Sequence, residues 1–171
     1  SGAAGLVVGT HAVIQHDVRR LNRLITDISD ASRLDAELAR QDALPMDLAQ
    51  LARTVVGIAR ETRKPDEPKL ELVIAPADKA AYMVVAHDSR IGQVLGNLLD
   101  NARSFCRKDG TVRVILRRLG ETVELSVEDD GPGIRPDQME RIFERFYTDR
   151  PDQESFGQNS GLGLAISKQI V

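Results

Sequence analysis

The sequence holds a single cysteine, no tryptophan and no large excess of charge of either sign. Cys106 alone closes no internal disulfide and has no partner cysteines for a zinc cage, which suits a reducing compartment and makes a cytoplasmic setting the default. Lys and Arg number 23 against 26 Asp and Glu, so the net charge of -3 gathers no polyanions and disfavours general nucleic-acid binding. No apolar run approaches the roughly 20 residues that span a bilayer, so the chain does not read as a membrane segment. Aromatic residues are scarce, yet Phe143, Phe146, Tyr147 and Phe156 fall in one stretch, which marks a local need for flat apolar surface. What remains is balance. A length of 171 residues with 42% hydrophobic and 29% charged side chains describes about one globular domain with a short appendage, neither disordered nor fibrous.

Residues 1–10 are small and Gly-rich, lack the basic flank of a signal peptide, and read as a linker or an appended segment. From Ile14 the apolar residues Val18, Leu21, Ile25 and Ile28 follow at steps of four and three, with Leu24, Ala31 and Leu38 in an adjacent row. Asp17, Arg19, Arg20, Arg23, Asp27 and Asp30 fill the opposite face, so this helix must bury its seam against another. A long bundle or dimerisation helix is therefore expected within residues 11–44. Pro45 is expected to break it and to open a domain over residues 45–171.

In that domain Asp47 and Gln50 have the form of a capping box for a helix running to about Arg63. Pro65 and Pro68 make a loop, Leu70, Leu72 and Ile74 alternate as a strand, and Tyr82 to His87 form another. Asp88 is placed to cap a helix whose apolar face holds Ile91, Val94, Leu95, Leu98 and Ala102. Thr111 to Arg118 and Glu121 to Glu128 read as an antiparallel hairpin joined at Leu119-Gly120, with Val112, Val114, Leu116, Val123, Leu125 and Val127 inward. A Gly/Pro turn at 131–133, a short helix around 137–146, a polar stretch over 148–160 and a helix from about Leu162 follow. The expected architecture is a two-layer α+β domain, with helices on one face of an antiparallel or mixed sheet.

Three clusters carry chemistry. Asn97 and Asn101 stand four residues apart, so their side chains leave nearly the same side of a helix whose other side is apolar. An amide carbonyl is a neutral oxygen ligand suited to Mg²⁺, which takes oxygen ligands and keeps waters and substrate phosphates as the rest; a solvated polar face is the plainer alternative. Asp129-Asp130-Gly131-Pro132-Gly133 ends a strand where glycines let a ligand approach the backbone. An ionised Asp there accepts a hydrogen bond from the amine of adenine and repels the carbonyl of guanine, though a capped tight turn also fits. Gly157-Gln158-Asn159-Ser160-Gly161-Leu162-Gly163-Leu164 leads into a helix, where successive N–H groups and the helix dipole favour phosphate; a flexible joint is the alternative. It is neither a Walker loop nor a dinucleotide fingerprint, since no Gly-Lys-Ser/Thr occurs and no strand immediately precedes it.

Taken together and in order, these clusters resemble the ATP-binding catalytic domain of sensor histidine kinases, a Bergerat-fold group. Asn97-Leu98-Leu99-Asp100-Asn101-Ala102 is similar to that family's N box, and Val127-Glu128-Asp129-Asp130-Gly131-Pro132-Gly133-Ile134 to its first glycine box. Ile142-Phe143-Glu144-Arg145-Phe146-Tyr147 is similar to its F box, and Gly161-Leu162-Gly163-Leu164-Ala165-Ile166 to its second glycine box. Residues His16 to Leu38 look like the second helix of the family's dimerisation hairpin.

The resemblance implies ATP and Mg²⁺ as cofactors and Asn97 and Asn101 as the catalytic pair, Asn101 as metal ligand and Asn97 beside the phosphates. It implies Asp129 on the adenine amine, Gly131, Gly133 and Ile134 lining the base, and Phe105 stacked on it. Phe146, Tyr147, Ser160, Gly161, Leu162, Gly163 and Leu164 complete the implied nucleotide site, with residues 147–160 as an ATP lid. The implied partners are an acceptor-histidine helix of the same or another subunit, a response regulator and a second copy of the chain. The implied parent is an inner-membrane bacterial sensor.

The chain departs from the pattern in four places. Ser104 stands where the family often carries a phosphate-binding Lys, leaving Arg103, Lys108 or Arg150 to supply the charge. Asn159 replaces a glycine, and the family's closing strand pair would follow Val171. None of His11, His16 and His87 stands in a phosphate-acceptor motif. The rival within the fold is a hydrolase that needs a carboxylate base at position 97, where an amide accepts no proton; a non-catalytic nucleotide-sensing or dimerisation module is the rival outside it.

Overall fold

The computed structural model describes residues 43–147 and 161–171. The expected helix over 14–38, most of the lid segment, Ser160 and Arg150 lie outside the described residues.

Strand β1 (Leu44–Asp47) runs straight into helix α1 (Leu48–Glu61). Asp47 accepts hydrogen bonds from the backbone N–H of Ala49 at 2.9 Å and Gln50 at 3.2 Å, satisfying two otherwise orphaned donors of the first turn. No helix runs through Pro45. It sits inside β1, which pairs antiparallel only with β3 (Met83–Ala86), and an edge strand tolerates the missing N–H.

Strand β2 (Lys69–Ile74) pairs parallel with β4 (Thr111–Leu119), which pairs antiparallel with β5 (Thr122–Asp129). The three-stranded sheet is therefore mixed, in the order β2-β4-β5. Leu119 faces Thr122, so the hairpin turns on Gly120 and Glu121, one residue later than the alternation suggests; Gly120 takes the positive φ of 59°. Val112, Val114 and Leu116 of β4 are fully buried, as their period-two pattern requires.

Helix α2 (Asp88–Phe105) lays Leu95, Leu99 and Ala102 on this sheet beside Ala52 and Val56 of α1. Asp88 is the first residue of α2 and not its cap. His87 holds the cap position, and the Asp88 carboxylate binds the adjacent Ser89 N–H, where its charge still favours the positive end of the helix. The helix expected around 137–146 is instead two separate 3-10 turns, Pro136–Gln138 and Arg141–Phe143. Helix α3 (Gly163–Ile170) closes the described chain. Among the described residues no helix is long and apolar enough to cross a membrane.

Candidate functional site

Asn97, Asn101 and Phe105 follow at steps of four, so α2 carries all three along one side over about 12 Å of its length. Leu95 and Leu99, which are buried in the core, lie well around the helix from that side. At its N-terminal end, Asn97 Nδ2 donates to the Gly163 carbonyl at 3.1 Å and lies 3.4 Å from Ser167 Oγ. At its C-terminal end the Phe105 carbonyl lies against Gly131, where an added Cβ would come within 2.9 Å of it. One helix thus touches both glycine turns, through the Asn97 side chain and through the Phe105 carbonyl at its end, with Asn101 between them in the chain.

The two adjacent aspartates divide the work at the end of β5. Asp130 accepts from the Thr111 N–H at 2.9 Å and faces Arg113 at 3.5 Å, which ties the end of β5 to the start of β4. Asp129 is exposed, and its Oδ1 accepts the Gly131 N–H at 2.8 Å, folding the turn back on itself. Gly133 adopts a φ of 75°, and Ile134 beside it is exposed.

The second glycine turn is pinned to the F-box region by backbone contacts. The Phe146 N–H donates to the Gly161 carbonyl at 3.0 Å, and a Cβ on Gly161 would come within 2.9 Å of Phe146 and Tyr147 backbone atoms. Gly161 has a φ of 71° and Phe146 a φ of 66°, a left-handed conformation that costs a residue with a Cβ about 1–2 kcal/mol. Phe146 is exposed, whereas Tyr147 is half-buried under the Arg141 guanidinium at 4.6 Å. Leu162 is buried and Leu164 half-buried, so both support the turn from behind.

Two cations considered as replacements for the phosphate-binding Lys are engaged elsewhere. Arg103 pairs with Glu67 and lies 3.9 Å from Asp100, while Lys108 lies 3.8 Å from Asp66. Arg103 is turned to the loop around Pro65 and Pro68 because its position lies far around the helix from 97 and 101, and Lys108, beyond the helix end, is exposed beside the same loop. Slight burial acts to raise the Glu67 pKa, but the hydrogen bonds from Arg103 and the Lys64 N–H, with both positive charges, outweigh it and hold the carboxyl below its ordinary 4.5.

The donor set fits a cation that arrives with its nucleotide. Among the described residues no three His, Cys, Asp or Glu side chains converge on a metal position, so the protein alone offers no cage. Neutral amide oxygens at positions 97 and 101 suit Mg²⁺ whose other ligands are phosphate oxygens and water. Sequence reasoning missed Ser167, buried against Asn97; its position four residues after Gly163 on the same helix was the available signal.

A family model for histidine kinase-, DNA gyrase B-, and HSP90-like ATPases matches residues 86–171, from the end of β3 through α3. The chain belongs to that ATPase family. Within it, the sensor protein ChvG of Rhizobium meliloti is 54% identical over 163 residues, covering 93% of this chain and 28% of ChvG. The catalytic domain of the histidine kinase ThkA superposes with a TM-score of 0.63 at 27% identity, over 77% of this chain and 80% of that one. Full-length ShkA in complex with AMPPNP superposes with a TM-score of 0.69 at 28% identity, over 89% of this chain and 30% of ShkA. The fold is the α+β Bergerat type, and the chain carries an ATPase-type domain of the kind that forms the catalytic part of sensor histidine kinases. It spans just over a quarter of the length of ChvG.

Proposed function

We propose that the chain binds Mg-ATP along the Asn97–Asn101–Phe105 face of α2 and presents its γ-phosphoryl group to a histidine on a dimerisation helix. The observation that carries this reading is the contact of both glycine turns with this one helix, at Asn97 and at the Phe105 carbonyl. Phe105 and the Asp129–Gly133 turn form the base end, where the Asp129 carboxylate selects the amine of adenine. Gly161 and Gly163 form the phosphate end, where backbone N–H groups reach the triphosphate without an intervening side chain. Asn101 is the metal ligand, and Mg²⁺ when bound neutralises phosphate charge and favours in-line transfer. A neutral imidazole nitrogen then attacks the γ-phosphorus, the bond to the bridging oxygen breaks, and ADP leaves.

Position 97 argues for transfer over hydrolysis. A water-activating base needs a free acceptor of basic character, whereas Asn97 is an amide whose nitrogen is committed to Gly163. Residues 11–44 act in this reading as the second helix of a dimerisation hairpin in a homodimer, and residues 45–171 as the catalytic domain. A response regulator receives the phosphoryl group next, on the cytoplasmic face of a membrane-bound parent protein.

The test is transfer of label from γ-labelled ATP to a separately supplied hairpin carrying its own acceptor histidine. Label on that histidine, lost with Asn101→Ala, is the expected result. Tight ATP binding with no transfer to any hairpin would favour the nucleotide-sensing module instead.

A further inference from the structure

Helix α3 packs on α2 outside the two main cores. Leu162, Ile166 and Ile170 pack as a cluster of their own, separate from the two core clusters around α1, α2 and the sheet. No side chain caps the N-terminus of α3. Two polar contacts from one α2 side chain cross to it, beside a hydrogen bond within α3 that shares the same carbonyl. Asn97 Nδ2 and the Ser167 hydroxyl both donate to the Gly163 carbonyl, at 3.1 Å and 2.8 Å, and Ser167 Oγ in turn lies 3.4 Å from Asn97 Nδ2. Ser167 is only 6% exposed, so water has little access to take over its part.

The chemistry of the partners fixes which way the Asn97 amide faces. A carbonyl has no proton to give, so the atom turned to Gly163 is the nitrogen. The Gly163 carbonyl and Ser167 Oγ lie only 2.8 Å from each other, too close for two diverging N–H groups, so they share one N–H, while Oδ1 takes no part in the contact and is left to accept from or ligate a guest. An oxygen acceptor suits a divalent cation or its bound water and repels a phosphate oxygen.

We infer that Ser167 is a positioning residue that acts through Asn97. It docks α3 and its glycine turn onto α2, and it holds the Asn97 amide so that its oxygen serves the cation end of the nucleotide site. The second part rests on the nucleotide reading above; the docking does not.

Hydrogen exchange of the nucleotide-free chain reads the docking. Ser167→Ala should speed exchange of the α3 amides about fivefold, the worth of one hydrogen bond. Asn97→Asp, which keeps the shape and loses both N–H donors, should speed it by about tenfold or more, with the β4 amides unchanged in both. Unaltered α3 exchange in both variants overturns the docking role. Titration with ATP in Mg²⁺ and in a chelator reads the orientation. Ser167→Ala should lose about fivefold in affinity with Mg²⁺ and little without it, and Ser167→Thr should recover the loss because its hydroxyl can make the same bond. An equal loss in both conditions, or no recovery with Thr, reduces Ser167 to packing and overturns its action on Asn97. Fast α3 exchange in the variants together with a wild type that binds no ATP overturns the nucleotide reading and the second part with it, and leaves the docking standing.

Discussion

A methyl group added at Gly131 would strike the Asp129 carboxylate and press to within 2.9 Å of the Phe105 carbonyl, both held in place by the turn and the helix end. Gly131→Ala should therefore destabilise the fold by about 1–3 kcal/mol and weaken ATP binding more than tenfold, read by thermal melting and titration. Gly120→Ala is the contrast. Open space surrounds that position, but its φ of 59° penalises any Cβ, so the variant should lose about 1–2 kcal/mol of stability and leave ATP affinity unchanged. Leu95 is fully buried between α2 and the sheet, and Leu95→Ala should cost about 2–5 kcal/mol in urea unfolding. At this scale the sequence was informative about residue type and silent about partners. Nothing in Asp129-Asp130 as a pair of letters says that the second aspartate ties β5 to β4 while the first stays exposed. The left-handed backbone of Phe146 was equally hidden, because only a glycine advertises such a conformation.

Elements with a strong period were legible in the sequence, and those fixed by tertiary contacts were not. Helix α2 and the β4–β5 hairpin follow from the spacing of Val94, Leu95, Leu99 and of Val112, Val114, Leu116, whose burial is the reason for that spacing. The segment around 137–146 has apolar residues but no repeated face, so it settles as two 3-10 turns. Pro45 was read as a helix stop, and the strand that holds it was not legible, because a proline is tolerated in a strand only where its missing N–H is not needed. The Glu67–Arg103 pair, which joins the loop before β2 to the end of α2, gives a prediction at this scale. Its side chains are 28% and 19% exposed, so the pair is worth about 1 kcal/mol or less. Because the folded-state pKa of Glu67 lies below its ordinary 4.5, this contribution is complete above that pH and fades as the pH falls through the lower folded value. Glu67→Gln should thus be less stable than the wild type in urea at pH 7, with the gap closing under acid conditions. A gap that persists at low pH would contradict the assignment.

For the whole molecule, the mixed sheet covered by α1 and α2 leaves one side of α2 to carry polar groups, and the two glycine turns come to that helix from distant parts of the chain. The order of motifs along the sequence pointed to this convergence, but only the packing of α3 on α2 and of Gly131 on Phe105 shows it. The measurement closest to the central claim is calorimetric titration of ATP, with and without Mg²⁺, into the wild type, Asn101→Ala and Asp129→Ala. The account predicts that Asn101→Ala loses chiefly the Mg²⁺-dependent part of the affinity and that Asp129→Ala weakens binding in both conditions, each by about tenfold or more. Equal affinity of all three proteins in both conditions would contradict it.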